Sequence, residues 1–159
     1  MRSLLCIFVL LFCLSAIAQT SILIDVSLSP AGSFQAVSSK VKGSIKVTDQ
    51  AIHADKISVL IDSFKTGIDL RDEHFAKHLN AETHPRATLT ELKGSNGKAS
   101  AKLEVNGVNH PVSFNYVTKN NILSAKIKLK ASDFKLKKAE YLGVGVEDDV
   151  LLSVELPLK

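Results

Sequence analysis

The chain has 159 residues, of which 20 are basic and 16 acidic, and its formal net charge is +4. This mild charge gives no support for a nucleic-acid partner. Both cysteines, Cys6 and Cys13, lie near the N-terminus, so the rest of the chain has no thiol for disulfides, thiolate catalysis or metal binding.

The N-terminal residues have the pattern of a secretory signal peptide. Arg2 gives a positive start, Leu4 to Leu14 form a short apolar run, and Ala16-Ile17-Ala18 is a small-x-small cleavage motif. We therefore expect a signal peptide over residues 1–18 and one periplasmic or secreted domain over residues 19–159. No later segment approaches the roughly twenty apolar residues of a membrane-spanning helix, so we expect no integral membrane segment.

Most of this domain alternates apolar and polar residues, which predicts strands with one buried face. The alternating segments begin at Ile22, Ile45, Ala101, Val112, Leu123 and Val150. Lys56 to Phe64 is apolar on both faces. Tight turns such as Asn96-Gly97 and Asn106-Gly107 join neighbouring strands and make them antiparallel. The pattern indicates an all-β, up-and-down arrangement of about eight strands, either a closed barrel or a two-sheet sandwich.

One polar insert, Thr66 to Thr88, interrupts this rhythm. Asp72 can cap a short helix in which Phe75 and Leu79 share one side, and Asn80 is a plausible stop. This predicts one or two helical turns that lie over one mouth of a barrel and bury Phe75 and Leu79.

Short motifs follow one another in a fixed order along residues 19–159. They are Gly32-Ser33-Phe34, Lys42-Gly43, Thr66-Gly67, Arg71-Asp72 with His74, His84-Pro85, Val105-Asn106-Gly107-Val108 with Pro111-Val112, Ser132-Asp133-Phe134, Gly143-Val144-Gly145-Val146 and Asp148-Asp149-Val150. This ordered set resembles the YceI-like family of secreted bacterial proteins. The resemblance implies a lipocalin-like antiparallel barrel with a long apolar cavity, in which some members bind polyisoprenoid chains or related amphiphiles.

A barrel of this size has an interior for packed side chains or one slim ligand. We therefore expect a non-enzymatic carrier for an elongated apolar molecule, such as an isoprenoid or quinone-like lipid. The predicted cavity walls are Phe34, Val59, Ile61, Leu103, Phe114, Ile127, Leu129, Leu152 and Val154. Arg71 is added as a group that could orient a polar head; its alternative role is to tie the insert to the barrel by hydrogen bonds.

Three histidines in the insert raise a competing hypothesis. His74 and His78 are four residues apart and His84 is nearby, a spacing that can bind zinc. A metalloprotease helix would have glutamate after the first histidine, but Phe75 is there, so a solvated or capping role is favoured and no metal or other cofactor is predicted. The alternatives to a carrier are an accessory protein that binds a protein partner and a histidine-dependent metal-binding enzyme.

Overall fold

The computed structural model describes residues 20–141 and 143–159. The predicted signal peptide and both cysteines lie outside these residues. The described residues form eleven strands, one α-helix and two short 3-10 helices. The strands are β1 (Ser21–Ser29), β2 (Ser33–Ser38), β3 (Val41–Lys42), β4 (Lys46–Thr48), β5 (Ala51–Leu60), β6 (Arg86–Ser95), β7 (Lys98–Val105), β8 (Val108–Lys119), β9 (Ile122–Lys130), β10 (Glu140–Tyr141) and β11 (Val144–Pro157). The helix α1 spans Asp69–His78, and the 3-10 helices span Ile61–Ser63 and Ala131–Phe134.

The strands form one antiparallel sheet in the order β2-β1-β11-β9-β8-β7-β6-β5-β3. From β5 to β9 each strand pairs with the next along the chain, as the tight turns predict. The last strand, β11, then lies between β9 and β1. The N-terminal and C-terminal strands of the domain are therefore neighbours.

Two isolated bridges bring the ends of the sheet together. Val37 of β2 exchanges backbone hydrogen bonds of 2.9 and 2.8 Å with Lys65, which follows β5 and its 3-10 helix. At the opposite end of the barrel, the Lys159 amide donates to the Ile45 carbonyl at 2.8 Å. These bridges leave a nearly closed barrel with little unpaired strand edge. The predicted antiparallel barrel is confirmed, and the two-sheet sandwich is not observed.

The strand count differs from the prediction of about eight, because the continuous order contains nine strands. The sequence pattern does not identify β2, which has six residues. Two of its inward positions are Ala36 and Ser38, which are buried to 0% and 2% exposure but are too small or polar to mark an apolar face. β3 has only two residues, too few for any periodic signal.

Two boundaries also differ from the sequence prediction. The apolar run from Lys56 does not continue as strand to Phe64, because β5 ends at Leu60 and a 3-10 helix follows. The helix begins at Asp69, so Asp72 lies inside its first turn and does not cap it. The predicted stop is confirmed: α1 ends at His78, and Asn80 has the left-handed φ of 56°.

The barrel is packed at one end and covered at the other. Ile45 and Leu123, each 1% exposed, are core residues at the end of the barrel where Ile45 bridges to Leu158. At the opposite end, the Ile61–Ser63 turn leads into α1, and β6 starts after it. The helix is therefore positioned over the barrel interior by the connection between β5 and β6.

Candidate ligand-binding cavity

A cavity of about 1210 Å³ lies inside the barrel, between the packed end and α1. Ligand pockets typically measure about 300–1,000 Å³, so this one is large for a small molecule. Its lining is mostly aliphatic, because inward positions alternate along every long strand and are occupied by Ile, Leu and Val. The interior therefore has the size and the apolar surface to enclose a long hydrocarbon.

All ten residues predicted as ligand contacts line this one cavity. They are Phe34, Val59, Ile61, Arg71, Leu103, Phe114, Ile127, Leu129, Leu152 and Val154. Eight of the nine apolar members lie at inward positions of strands. The ninth, Ile61, lies in the turn that continues β5. Their contact with a ligand stays a prediction.

Sequence reasoning did not assign other lining residues. Ile22, Ile24 and Val26 of β1 also line the cavity. Their alternating pattern is as clear as that of the predicted cavity walls, so the sequence could have identified them. Leu89 and Leu92 of β6 both line it despite their odd spacing, because the register shifts between Thr90 and Lys93. Glu91 has a φ of 54° within this β-bulge, which adds one residue and restores the inward direction.

The helix α1 lies over the cavity mouth, and six of its residues contribute to the lining. They are Leu70, Arg71, His74, Phe75, Lys77 and His78. The Phe75 ring lies 5.7 Å from the Phe64 ring and 6.4 Å from the Phe34 ring, centroid to centroid, and these contacts fix the helix to the barrel. Phe75 and Leu79 are only partly buried, so α1 acts as a surface lid.

The N-terminal end of the lid is held by hydrogen bonds to Thr66. Asp72 Oδ1 accepts from the Thr66 amide at 2.7 Å and from its hydroxyl at 2.6 Å, and Asp72 Oδ2 lies 3.0 Å from Lys65 Nζ. The hydrogen bond from the Thr66 hydroxyl is the largest cause that lowers the pKa of Asp72 to about 2. Asp72 therefore ties the lid to the segment that bridges to β2 and remains ionised in neutral solution.

Arg71 lies beside this anchor and lines the cavity. Its Nη2 donates to the Thr66 carbonyl at 2.7 Å, and its guanidinium carbon lies 4.8 Å from the centroid of the Phe34 ring. Its Nε is buried and has no hydrogen-bond acceptor among the described residues. The hydrogen bond of Arg71 to a backbone carbonyl therefore lies within the insert, its contact with the barrel is the Phe34 ring, and part of its donor capacity is unused.

The C-terminal end of the lid rests on the β7–β8 turn. Asn80 Nδ2 donates to Asn106 Oδ1 at 3.2 Å, and Asn106 Nδ2 donates to the Phe134 carbonyl at 3.1 Å. The His84 ring packs against Gly107, where an added β-carbon would lie 2.5 Å from His84 Cε1. This contact gives His84 a packing role at the turn.

The histidines of the insert do not converge on one point. His74 and His78 line the cavity from α1, whereas His84 packs on Gly107. Burial lowers the pKa of His78, so the neutral imidazole is favoured there. Within residues 20–141 and 143–159, no group of three or more His, Cys, Asp or Glu side chains could hold a metal ion. In the same part of the chain, no helix has the length and hydropathy needed to cross a membrane.

Comparison with known proteins agrees with this architecture. The structure is similar to Burkholderia cenocepacia BcnA, with a TM-score of 0.67 and 19% identity over 86% of this chain and 94% of that one. A polyisoprenoid-binding domain of Saccharophagus degradans, implicated in plant cell wall breakdown, gives a TM-score of 0.58 and 18% identity over 88% of this chain and 95% of that one. The YceI protein of Campylobacter jejuni gives a TM-score of 0.53 and 21% identity over 73% and 78%, respectively.

Identities this low show a shared fold and no more. No curated protein matches the chain. The model of the YceI-like domain, however, matches residues 18–158, which is nearly the whole sequence. The protein therefore belongs to the YceI-like family, as its ordered motifs indicate.

Proposed function

We propose that the protein binds and carries an elongated apolar molecule, such as a polyisoprenoid or quinone-like lipid, inside the barrel. The observation that carries this proposal is the cavity of about 1210 Å³ with its aliphatic lining. Apolar surface removed from water contributes about 25 cal/mol per Å² before the costs of ordering the ligand are subtracted. A long chain that lies between the strands gains this contribution in proportion to the apolar area that it buries.

Two further observations support a binding role. The chain shares its family with YceI proteins, and the similar Saccharophagus degradans domain is described as polyisoprenoid-binding. Most of the described residues that line the cavity are aliphatic, and the charged ones come from α1, the end of β9 and β10, an arrangement suited to holding a chain. We therefore assign a binding protein in preference to an enzyme.

The place of action is part of the same proposal. Residues 1–18 have the pattern of a signal peptide, so we place the carrier in the periplasm or outside the cell. There it would keep a water-insoluble molecule dispersed. An accessory protein with a solid barrel is less well supported, because the interior contains a cavity.

Native mass spectrometry tests the carrier proposal directly. The protein is purified without detergent, measured, stripped of lipid by solvent extraction, refolded, and then exposed to total lipid extract. We expect one lipid per protein in the first measurement, or uptake of one in the second. A protein that carries no lipid after purification and takes up none from the extract would contradict the proposal.

A further inference from the structure

The charges of α1 are divided between its two sides. The cationic or titratable residues Arg71, His74, Lys77 and His78 all line the cavity. The acidic residues Asp69, Asp72 and Glu73 do not. Arg71, His74, Phe75 and His78 have the i, i+3, i+4, i+7 spacing of a buried helix face, but three of the four positions carry nitrogen bases where hydrocarbon is usual.

The charge of Arg71 is not neutralised within the described residues. The nearest acid along the helix, Asp72, accepts two hydrogen bonds from Thr66 and pairs with Lys65. Arg71 itself donates to a neutral carbonyl and contacts an aromatic ring, and no carboxylate lies within 4.0 Å of it among the described ion pairs. A guanidinium beside apolar walls, with its Nε lacking an acceptor, is held at a cost that an anion would offset.

The rest of the cavity mouth offers little negative charge. Among the described lining residues the only acid is Glu140, which is exposed at the rim. Lys130 also lines the mouth, and its ammonium lies 3.0 Å from Asp149 Oδ1 on the outer side. The polar end of the cavity therefore has an excess of positive charge beneath the lid.

We propose that the ligand is an anionic amphiphile whose apolar chain lies among the strands and whose carboxylate or phosphate head group binds beneath α1 against Arg71. This inference rests on the proposed carrier function and adds the sign of the head group to it. The Thr66 carbonyl and the Phe34 ring hold the guanidinium in place, so few rotamers are lost when an anion binds. Lys77 of the same helix also lines the cavity and adds a second positive charge.

The opposing interpretation is that Arg71 serves only to tie the lid to Thr66. In that case the cavity would distinguish ligands by chain length and shape, and the head group would have no influence. The two interpretations therefore differ in one measurable property, the dependence of affinity on head-group charge at constant chain.

The experiment compares four ligands with the same hexadecyl chain: hexadecanoate, hexadecyl phosphate, hexadecanol and hexadecylammonium. Each displaces an uncharged fluorescent alkyl probe from delipidated protein, below its critical micelle concentration and at mildly alkaline pH. We expect both anions, or one of them, to bind about 10- to 100-fold more tightly than the alcohol, with the ammonium weakest. The ratio of the affinities for hexadecanoate and hexadecyl phosphate tells whether the site prefers a carboxylate or a phosphate head group.

Two variants and a control assign the effect to Arg71. Arg71→Met should bring the ratio of anion affinity to hexadecanol affinity close to one, whereas Arg71→Lys should retain part of this ratio. Lys128→Met removes an exposed cation from β9 that does not line the cavity, and it should change nothing. Circular dichroism of each variant verifies that the barrel is folded, and the wild-type ranking does not depend on any variant.

Each outcome decides between the interpretations. Equal binding of all four ligands, or a preference for the ammonium, overturns the head-group inference and leaves the carrier proposal standing. An anion preference that persists in Arg71→Met overturns the assignment to this residue. If none of the four ligands displaces the probe and the probe itself does not bind, the carrier proposal fails and the inference fails with it.

Discussion

At the lid's N-terminal anchor, Asp72 gathers two hydrogen bonds from Thr66 and an ion pair from Lys65. This residue was expected to cap a helix, but the helix begins three residues before it. Its side chain still satisfies a backbone amide, although that amide belongs to the segment before the helix. The chemistry of the aspartate was predictable, whereas its partner depended on how the chain turns at Gly67.

The lowered pKa of Asp72 predicts acid-dependent stability. Because the carboxylate has a pKa of about 2 in the folded protein against 3.8 ordinarily, its ionised form stabilises the fold at higher pH. That stabilisation is fully present above the ordinary pKa and is lost as the pH falls from about 4 towards 2. Urea unfolding measured across this range should show that the free energy of unfolding of the wild type falls towards that of Asp72→Asn as the pH is lowered.

Thr66→Val provides the control for this titration. It removes the hydroxyl that contributes most to lowering the pKa of Asp72. The difference in the free energy of unfolding between Thr66→Val and the double variant that also carries Asp72→Asn should therefore vary less with pH. A difference between wild type and Asp72→Asn that stays constant across the range would show that the carboxylate is not stabilised by these contacts.

A second prediction at this scale concerns Phe114, a partly buried residue that points into the cavity from β8. Phe114→Trp should fill part of the space meant for ligand and lower lipid uptake at least several-fold, with little loss of stability because the larger ring enters a cavity and not a packed core. Val117→Trp is the matched control, since Val117 lies on the same strand but is 67% exposed. Uptake that is equal in both variants would place the ligand elsewhere.

Among the elements, α1 depends on neighbours at both ends more than on its own burial. None of its ten residues, all of which the structure describes, is fully buried. Its N-terminal anchor leads towards β2, and its C-terminal anchor is the β7–β8 turn. A helix with few buried contacts opens locally at lower free energy than the barrel beneath it. Ligand exchange should therefore proceed by movement of this lid.

This view predicts the effect of Asn106→Gly. The change removes both hydrogen bonds of the Asn106 side chain, and glycine tolerates the φ of 52° at this position. We expect faster amide hydrogen exchange in residues 69–84 and faster release of bound ligand, with a change in global stability of about 1 kcal/mol. Hydrogen exchange followed by mass spectrometry measures the first effect, and stopped-flow displacement measures the second.

The chain contains a matched control at the far end of the barrel. Asn96 has a φ of 50° in the Asn-Gly turn between β6 and β7, so Asn96→Gly makes the same substitution in the same kind of turn, away from the lid. It should leave exchange in α1 and ligand release unchanged. If Asn96→Gly accelerated exchange and release as much as Asn106→Gly, the effect would come from replacing asparagine by glycine in a turn and not from loss of the lid anchor.

For the whole molecule, the sequence predicts most of the barrel because alternation survives wherever inward residues are large. It misses the strand β2, where the inward residues Ala36 and Ser38 are small, and it does not identify the inward residues of β6, where a bulge at Glu91 breaks the period. The residues predicted from strand parity line the cavity, and their contact with a ligand stays a prediction. The volume between them was not predictable, since it depends on how far apart nine strands hold their side chains.

The proposed signal peptide gives the last prediction. Expressed from its own start in a bacterium with a periplasm, the protein should appear there beginning at Gln19, because the Ala16-Ile17-Ala18 motif presents small residues to the signal peptidase. Intact-mass measurement of the periplasmic fraction checks the start. Ala18→Phe should leave uncleaved precursor, while a mature protein that retains Met1 would contradict the signal peptide.

The position of β11 between β9 and β1 has a consequence for the order of assembly. Strands β5 to β9 can pair as they emerge, but the gap between β9 and β1 has no other strand to fill it. The cavity is closed on this side only when residues 144–157 are added. The strand β11 that they form pairs with β1, at the start of the domain, and with β9 near its end. Under the proposed carrier function, a hydrophobic ligand should therefore enter only after synthesis of the domain is complete.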